Sequence, residues 1–351
     1  MNTNEVCKMF NITSKALIVY ENQGIIVPKR EKNNYRNYNE DDLFKLRTVI
    51  LLKQLGFSLK DIKNLMDKNN YGNNQFTRSL YLQLKAIERN IFELDNIKNT
   101  LMTSINKILE SNVELNYGDF LNNIDMSLKE NKTNREQWVD MWGFDNKAIK
   151  FDKMVRDKSN DELGLFEKYD EVLSKVRNKI IEHNNAKSVI DIGCGTGNLC
   201  GELCCEMDVV GVDQSLEMIL QAKKKYKNIK FKLGNFLDEP FRLNDVDIVV
   251  TTYAFHSLNE NEKKKAIKYM LEYLKDDGKI IIADFMFLND IERENCKNNL
   301  YGKDRGDLWE VINCKYYINL EKFEKYITSL GCKIEYEHVI NFTWIVEIKF
   351  H

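Results

Sequence analysis

The sequence contains little that could bind a metal ion or cross a membrane. Its 351 residues include four histidines and eight cysteines, and no two cysteines form a C-x-x-C pair, so no metal site is predicted. No apolar run reaches the ~18 residues that a membrane-spanning helix needs. The polar start MNTNEVCKMF is unlike a signal peptide. We therefore expect a cytoplasmic protein with free thiols and no membrane partner.

The sequence also lacks a large net charge, but its charge is unevenly distributed. The formal net charge is −2, yet residues 1–70 carry 12 Lys or Arg against 8 Asp or Glu. DNA binding is therefore expected at the N-terminal end. The length predicts a multidomain chain, which we divide into 1–70, a helix at 71–112, a polar linker at 113–135 and 136–351.

One stretch, SVIDIGCGTGNLCGELCCEMDVVGVDQ at residues 188–214, organises the C-terminal half. A short apolar run predicts a buried strand, the glycines that follow predict a turn, and a helix is expected from Asn198 to about Met207. A second apolar run ends at Asp213. Such a unit places backbone N–H groups at a helix N-terminus and a carboxylate at the tip of the neighbouring strand.

The glycine spacing indicates which ligand the turn binds. Dinucleotide sites usually read G-x-G-x-x-G, whereas this turn reads D-x-G-x-G-x-G from Asp191. That pattern suits a ligand with an amino-acid tail and a ribose diol, which Asp213 can bind through two hydroxyls. It resembles motif I of the class I S-adenosylmethionine (SAM) methyltransferases. A Rossmann-like NAD site and an empty α/β turn are the alternatives.

The resemblance implies SAM as the cofactor and a set of residues around it. These are Asp191, Gly193, Cys194, Gly195, Gly197, Asp213, Gln214, Met218, Asn235, Phe236 and Tyr253. Met218 is expected near the adenine, and Asn235 stands where many homologous folds have an acid that accepts from the adenine amino group. Cys194 is expected to be a small packing residue rather than a nucleophile. The candidates for a lid, with core packing as the alternative, are Trp142, Phe144, Phe151 and Tyr169.

The remaining pattern predicts five strands alternating with helices and then an antiparallel pair, which is an α/β Rossmann-like, seven-stranded class I methyltransferase sheet. Helices are expected at 164–182, 260–275 and 320–330, strands at 229–233, 246–253 and 279–287, a turn at 277–278, and a hairpin of 333–338 with 343–350. The stretches TTYAFHSLNENEKKKAIKYMLEYLKDDGKIIIADFMF and FEKYITSLGCKIEYEHVINFTWIVEI resemble the YrrT-like small-molecule methyltransferases.

The predicted reaction is direct displacement of the sulfonium methyl group by a small-molecule acceptor held in line. His256 lies at the end of the fourth predicted strand, and we select it, with Tyr253, as the candidate base or substrate contact. The alternative is a histidine that only hydrogen-bonds a loop. Asp284 is a second candidate.

Residues 1–70 predict two short helices, Thr3 to Phe10 and Ser14 to Asn22, joined by a tight turn, then a basic loop KREKNNYRNY. The run L-x-x-YE-x-x-G-I-I-x-P, the YRNY loop and the LGFSLKDIK turn resemble the DNA-binding domain of MerR-type regulators, an all-α winged helix-turn-helix. The resemblance implies DNA contacts by Lys15, Tyr20, Arg30, Tyr35, Arg36 and Tyr38. A solvated hairpin is the alternative to a wing. Ile18 and Val19 depart from the family, which usually has an Arg and an aromatic residue there.

From Leu80 the apolar positions alternate in steps of four and three, which predicts a coiled coil. They are Leu80, Leu84, Ile87, Ile91, Leu94, Leu101, Ile105 and Ile108, with Lys98 at the remaining seam position. MerR-type regulators dimerise through an antiparallel coiled coil at this place, so the resemblance implies a homodimer through residues 76–110. A single helix packed on its own domain is the alternative.

Three functions fit these features. The first is a MerR-type regulator of promoter DNA whose C-terminal domain is a working SAM methyltransferase. The second is a sensor of SAM or S-adenosylhomocysteine without turnover. The third is an enzyme that uses its N-terminal domain mainly to dimerise. The complete glycine motif and His256 favour the first function.

Overall fold

The computed structural model describes most of the chain as two compact units, residues 1–141 and 142–351. The described residues are 1–31, 34–66, 73–110, 144–157, 161–183, 186–238 and 245–350, together with 118, 121, 125 and 159. Most of the predicted linker, and Trp142 among the lid candidates, lie outside these ranges. The finer domain boundaries predicted from the sequence stay predictions.

The N-terminal unit begins with two helices whose ends are fixed by side-chain caps. Helix α1 spans Thr3–Phe10 and helix α2 spans Ser14–Asn22, as predicted. The side chain of Asn2 accepts from the Glu5 N–H at 3.0 Å, and the Thr13 hydroxyl accepts from the Ala16 N–H at 3.2 Å. These bonds pair backbone donors that the first helical turn leaves without a partner.

A short hairpin and two further helices complete this part of the unit. Strands β1 (Lys29–Arg30) and β2 (Arg36–Asn37) pair antiparallel, so the predicted all-α description is wrong for this segment. Helix α3 spans Glu40–Gln54 and helix α4 spans Leu59–Met66. The core between these elements is apolar and includes Leu17, Ile26, Leu46, Val49 and Ile62.

Helix α5 is a 38-residue helix, Asn73–Glu110. Leu80, at its N-terminal end, packs against the core of the N-terminal unit. Further along, Leu84, Ile91 and Leu94 are 41%, 55% and 64% exposed. The predicted seam therefore faces solvent in the single chain over these residues. The side chains of Ile105 and Ile108 lie outside the described residues.

The C-terminal unit is built on one mixed sheet. Its strands are β3 (Ser188–Ile192), β4 (Asp208–Asp213), β5 (Lys230–Leu233), β6 (Val246–Thr252), β7 (Leu274–Phe287), β8 (Ile318–Asn319), β9 (Cys332–Ile340) and β10 (Thr343–Phe350). Seven of them form the continuous order β5-β4-β3-β6-β7-β10-β9, and β8 pairs with β7 outside that order. Among the described strands, β10 alone runs opposite to the others, because it pairs antiparallel with both β7 and β9. The described sheet therefore has eight strands, one more than the predicted seven.

Helices cover both faces of this sheet. They are α6 (Phe144–Lys147), α7 (Phe151–Met154), α8 (Tyr169–Ile181), α9 (Asn198–Leu203), α10 (Leu216–Lys225), α11 (Glu260–Tyr273), α12 (Asp290–Gly302), α13 (Gly306–Asn313) and α14 (Leu320–Ser329). Two apolar clusters result, one represented by Ile190 and Ile280 and the other by Val189 and Ile281. Neighbouring strand residues point to opposite faces, so each cluster fills one side of the sheet.

Three predicted boundaries were wrong. The helix expected from Asn198 to about Met207 ends at Leu203. Helix α8 starts at Tyr169 rather than at residue 164, because Asp161 accepts from the Leu165 and Phe166 N–H groups at 2.7 Å and Lys168 has a φ of 57°. Those bonds and the left-handed residue hold the preceding segment in turns. The predicted turn at 277–278 lies within strand β7, where the β6–β7 register shifts.

No helix among the described residues is long and apolar enough to cross a membrane.

Candidate functional sites

The glycine turn after β3 adopts a backbone that requires glycine. Gly193, Gly195 and Gly197 have φ values of 79°, 53° and 78°, a region that other residues rarely enter. At Gly193 a Cβ would also lie 2.3 Å from the Cβ of Ala254. The Gly193 and Cys194 N–H groups donate to the Val212 carbonyl at 2.8 and 3.0 Å. The turn is thus fastened to the end of β4.

Asp213 ends strand β4 beside this turn. Its Oδ2 accepts from the Gly195 N–H and its Oδ1 from the Ser215 N–H, both at 2.8 Å. Asp213 is 8% exposed. Two backbone donors therefore hold the carboxylate in one orientation at the carboxyl edge of the sheet.

Asp191 lies one strand away and is more deeply buried. It is 1% exposed, its Oδ2 accepts from the Cys200 thiol at 3.2 Å, and its Oδ1 has no hydrogen-bond partner. Burial, together with the nearby charge of Asp213, raises the pKa of Asp191 to about 7. A buried carboxyl oxygen without a partner under a glycine turn fits a ligand-binding edge.

Residues 144–154 reach this edge of the sheet through two aspartates. From this segment, sequence reasoning selected only aromatic residues. The Ser215 hydroxyl donates to Asp145 Oδ1 at 2.5 Å. Asp152 accepts from the Thr196 hydroxyl at 2.5 Å and pairs with the Lys225 ammonium at 2.8 Å. Burial would raise the pKa of Asp152, but the hydrogen bonds from Lys225, Thr196 and Asn198 together with the charge of Lys225 outweigh it and the pKa is lowered. We call residues 144–154 the strap.

The strap also carries one of the predicted lid residues onto the turn. A Cβ at Gly195 would lie 3.7 Å from the ring of Phe151. Tyr169, another lid candidate, is 7% exposed, and its hydroxyl accepts from the Asn198 side-chain amide at 3.2 Å. The Phe144 side chain lies outside the part of the chain that the structure describes. Phe151 thus lies against the glycine turn, and Tyr169 contacts the first residue of helix α9 that follows it.

The other predicted cofactor residues differ in their access to this edge. Gln214 is exposed, whereas Met218 is 1% exposed and Phe236 is 6% exposed. The Met218 side chain packs in the core, and its position near the adenine stays a prediction. The Asn235 Oδ1 accepts from the Leu237 N–H at 2.7 Å, so part of its capacity to accept is already used. Cys194 is buried against the neighbouring strand, since its Sγ would lie 2.9 Å from a Cβ at Gly211.

Tyr253 follows strand β6 in a strained conformation. Its φ is 53°, which is unfavourable for an aromatic residue and is typical of functional sites. Its ring stacks on Tyr169 with the centroids 5.6 Å apart. Its hydroxyl is buried without a hydrogen-bond partner.

His256 and Asp284 form a buried pair at the carboxyl ends of β6 and β7. The His256 Nδ1 lies 2.8 Å from Asp284 Oδ1, and the His256 backbone N–H donates to Asp284 Oδ2 at 2.8 Å. Burial would raise the pKa of Asp284, but the charge and hydrogen bonds of His256 outweigh it and the pKa is lowered. Because an ionised carboxylate only accepts, Nδ1 carries the proton and Nε2 is the basic nitrogen. Sequence reasoning selected both residues but not their contact.

In the N-terminal unit, the hairpin is fastened to helix α2 through one carboxylate. Glu21 pairs with Arg30 at 2.9 Å and with Arg36 at 2.6 Å. Burial would raise the pKa of Glu21, but these two arginines outweigh it and lower the pKa. Both predicted DNA contacts therefore share their charge with a carboxylate in the unbound protein.

The remaining predicted DNA contacts fall into two groups. Lys15 is exposed, Tyr35 is 71% exposed, and Tyr20 is half-buried against the core. Tyr38 is 2% exposed within that core. The aromatic ring of Tyr38 packs in the core of the N-terminal unit, and its contact with DNA stays a prediction.

Among the described residues, no group of three or more His, Cys, Asp or Glu side chains could hold a metal ion. All eight cysteines are free.

Comparison with known proteins identifies both units. Residues 183–330 match the model of a methyltransferase domain, and residues 1–69 match the model of MerR helix-turn-helix regulatory proteins. The chain is 32% identical to an uncharacterised methyltransferase of Alkaliphilus oremlandii (strain OhILAs) over 58% of this chain and 94% of that protein. It is 30% identical to an uncharacterised methyltransferase of Oceanobacillus iheyensis, over 59% of this chain and 95% of that protein.

The chain therefore belongs to this methyltransferase family and carries an N-terminal MerR helix-turn-helix domain. This membership also agrees with SAM as the predicted cofactor. Among solved structures, the chain is similar to magnesium protoporphyrin IX methyltransferase from Synechocystis with bound S-adenosylhomocysteine. That likeness has a TM-score of 0.48 and 17% identity, over 59% of this chain and 96% of that one.

Proposed function

We propose that the chain is a DNA-binding regulator of MerR type whose C-terminal domain binds SAM at the glycine turn and transfers its methyl group to a small molecule. The observation that carries the cofactor site is Asp213, held at the tip of β4 by the Gly195 and Ser215 N–H groups. Each carboxylate oxygen can accept two hydrogen bonds. The two backbone donors can therefore orient the carboxylate while it receives both hydroxyls of a ribose.

The strap supports a closed cofactor site. Asp145 reaches Ser215 after β4, and Asp152 reaches Thr196 and Lys225 beside the glycine turn. Closure of this kind excludes water, which strengthens the electrostatic interactions inside a site. Residues 144–154 therefore bridge the two segments that would hold the methionine tail and the ribose.

The paired His256 and Asp284 support turnover. Bound SAM supplies a methyl group on a sulfonium sulfur that needs no further activation. Asp284 fixes the His256 ring and its tautomer, so Nε2 can take a proton from an acceptor that arrives protonated. Tyr253, between the glycine turn and this pair, would help to position the acceptor. Most of the acceleration would come from holding the two reactants in line.

Exposed groups of the N-terminal unit support binding to duplex DNA. Lys15 on helix α2 and Tyr35 of the hairpin face solvent. Arg30 and Arg36 would contact phosphates, with Glu21 fixing the angle between hairpin and helix. Two copies of the chain, joined through residues 76–110, would present two such surfaces to a palindromic promoter site.

Calorimetric titration with SAM and with S-adenosylhomocysteine tests the cofactor site. We expect Asp213→Ala to weaken binding of both by at least about 100-fold, because it removes a charged acceptor for two hydroxyls. Asp208→Ala at the other end of β4 is the matched control, since the ion pair of the Asp208 side chain among the described residues is a long 3.9 Å contact with Lys230. Unchanged affinity in Asp213→Ala would contradict the assignment of the pocket.

The same titration separates a regulator from an enzyme that only dimerises through its N-terminal domain. Coupling between two sites is reciprocal, so promoter DNA should change the affinity for SAM if the halves communicate. Arg36→Ala should weaken DNA binding and make its salt dependence shallower by about one ion. A sensor without turnover would bind SAM and DNA but form no S-adenosylhomocysteine with any acceptor.

A further inference from the structure

Aromatic side chains gather beside the His256–Asp284 pair. The ring of Phe285 has the rings of Phe166, Tyr253 and Tyr317 around it, at centroid distances of 6.0, 5.4 and 5.3 Å. The centre of the His256 ring lies 4.9 Å from the centre of the Phe285 ring. We call Phe166, Tyr253, Phe285 and Tyr317 the aromatic cluster. Phe285 is fully buried and Tyr253 is 8% exposed, so the half-buried rings of Phe166 and Tyr317 are the accessible part of this cluster beside the basic nitrogen.

Unpartnered hydroxyls concentrate in the same place. Six buried side-chain polar atoms of the described residues have no hydrogen-bond partner, and three of them are the hydroxyls of Tyr253, Tyr317 and Thr343. Thr343 lies directly opposite Phe285 in the β7–β10 pair. Leaving a buried hydroxyl without a partner is unfavourable. Burial raises the pKa of the Tyr253 hydroxyl, and hydrogen bonding to the nearby Thr343 partly opposes this, so these two groups can pair with each other. The Tyr317 hydroxyl is therefore the one that indicates a ligand with a hydrogen-bonding group beside its flat face.

A lysine adds positive charge to this surface. The Lys315 ammonium lies 5.2 Å from the centre of the Phe285 ring. Burial lowers the pKa of Lys315, and the negative charge of Asp284 partly opposes this. The Lys315 ammonium interacts electrostatically with Asp284, so it can also stabilise negative charge that develops on an acceptor at His256.

The segment that carries Lys315 and Tyr317 is fixed to the loop of His256. The Tyr316 N–H donates to the His256 carbonyl at 3.0 Å. The buried Lys263 ammonium donates to the Tyr316 carbonyl at 2.6 Å and also to the Leu258 carbonyl. Lys315 and Tyr317 are therefore held in position before any acceptor binds, which reduces the cost of binding.

From this arrangement we infer that the methyl acceptor is a phenol, an aromatic ring whose hydroxyl is methylated, held by the aromatic cluster with its hydroxyl at His256 Nε2. This rests on the proposed methyltransferase function. An aliphatic alcohol would make no use of the rings, and a neutral amine would need no base before attack. A phenol uses the rings, the base and the cation together.

The transfer balances without any further reactant. His256 Nε2 takes the phenol proton, and the phenolate oxygen forms a bond to the methyl carbon of the substrate SAM. The carbon–sulfur bond breaks, its electron pair stays on sulfur, and the positive charge of the sulfonium is lost. The products are an aryl methyl ether, S-adenosylhomocysteine and a protonated His256, which then releases its proton to solvent.

Binding of 4-nitrophenol to the full-length protein saturated with S-adenosylhomocysteine tests the acceptor class without turnover. The ionised form absorbs visible light, so a site with a base and a cation should shift the apparent pKa of the bound probe downward. We expect saturable binding with that shift, and cyclohexanol should compete about tenfold more weakly than phenol. Equal competition by cyclohexanol and phenol, or no binding of either, would overturn the inference.

Two variants assign the binding to the cluster. Tyr317→Phe keeps the ring and removes one hydroxyl, so it should weaken 4-nitrophenol binding and raise KM about fivefold while leaving kcat nearly unchanged. Tyr336→Phe on the exposed strand β9, whose hydroxyl bonds only Glu324 at 3.2 Å among its described contacts, should change neither. Equal effects of the two variants would place the phenol elsewhere.

His256→Gln tests the base. It should lower kcat for phenol methylation by at least about 100-fold and remove the shift of the bound 4-nitrophenol. The affinity for S-adenosylhomocysteine, measured on the same sample, reports whether the variant is folded. A variant that retained both the rate and the shift would exclude His256 as the base.

These outcomes separate two kinds of failure. If the protein binds neither SAM nor S-adenosylhomocysteine, the proposed function itself fails. If it binds both and 4-nitrophenol does not bind the S-adenosylhomocysteine complex, the methyltransferase assignment stands and the phenol acceptor is wrong. Methylation of thiophenol or an aliphatic thiol, without methylation of phenol, would also overturn the inference that the acceptor is a phenol.

Discussion

At the scale of single residues, the carboxyl group of Asp191 combines a hidden position with an incomplete set of hydrogen bonds. Only one of its oxygens has a partner, the Cys200 thiol. Water cannot stabilise the charge of a group that is 1% exposed. Asp191 therefore makes the stability of the cofactor-free protein depend on pH.

Asp191→Asn should remove that dependence. The pKa of Asp191 is raised from 3.8 to about 7, so between these values the folded protein holds a proton that the unfolded chain has lost. The unfolding free energy contributed by Asp191 therefore falls as the pH rises from about 4 to 7, by on the order of 4 kcal/mol, and is constant above 7. Urea unfolding of wild type and variant between pH 4.5 and 8 measures the difference.

Asp208→Asn, exposed at the other end of strand β4, is the control for this prediction. It should follow the wild-type profile, because every other titrating group is unchanged. The comparison uses the slope rather than the absolute stability, since the new amide also lacks a partner. Parallel profiles for wild type and Asp191→Asn would show that Asp191 is ionised in the folded protein.

Residue identities near the glycine turn were predictable only where the pattern is local. Asp191 and Asp213 flank one strand–turn–helix–strand unit, so their positions followed from spacing. Asp145 and Asp152 contact residues 70 and 44 positions further along the chain. No periodicity connects such distant positions, and the strap's aspartates were therefore missed.

At the scale of elements, local caps and apolar runs determine most boundaries. Asn2 and Thr13 start their helices where the sequence predicted, because a cap is a contact within three residues. Strand β7 differed, since its length depends on pairing with β6, which tolerates a register shift around residues 275–278. The start of helix α8 differed because of the Asp161 side chain.

The segment before strand β8 has no local cap of this kind, and its position depends on a hydrogen bond from Lys263. Burial lowers the pKa of Lys263 to about 8. Its ammonium donates hydrogen bonds to two backbone carbonyls, those of Leu258 and Tyr316. Lys263→Met should lower the unfolding free energy by about 2 kcal/mol, since both carbonyls lose a charged donor. Hydrogen exchange at the Tyr316 N–H should also become faster, because its segment is released from the His256 loop.

Lys264→Met provides the comparison for that variant. Lys264 is the next residue on helix α11 and pairs with Glu260 on the exposed face, where ion pairs contribute little. Its exchange at Tyr316 should match the wild type. Unchanged exchange at Tyr316 in Lys263→Met would show that other contacts hold the segment.

At the scale of the whole molecule, the two domain types were predictable because each has a dense local motif. The helix-turn-helix and the glycine unit are each contained in one continuous stretch. Assembly is different, since it depends on surfaces that only a second chain could cover. Helix α5 presents such a surface, with Leu84, Ile91 and Leu94 exposed along one side.

Leu94→Glu tests whether this surface joins two chains. Leu94 is 64% exposed in the single chain and occupies the predicted seam, whereas Leu82 is 67% exposed and lies outside it. Burying a leucine stabilises by roughly 1.5–3 kcal/mol, and a symmetric dimer buries two. Sedimentation equilibrium should therefore show a dimer for wild type, and a dissociation constant at least about 100-fold higher for Leu94→Glu.

Leu82→Glu introduces the same charge on the same helix and should leave the dimer intact. Promoter binding should weaken with Leu94→Glu and not with Leu82→Glu, because one chain then contacts one half-site at a time. SAM affinity should be equal in both variants if each methyltransferase domain holds a complete site. A wild-type monomer would contradict dimerisation through residues 76–110, and equal dissociation of the two variants would place the dimer contact outside the predicted seam.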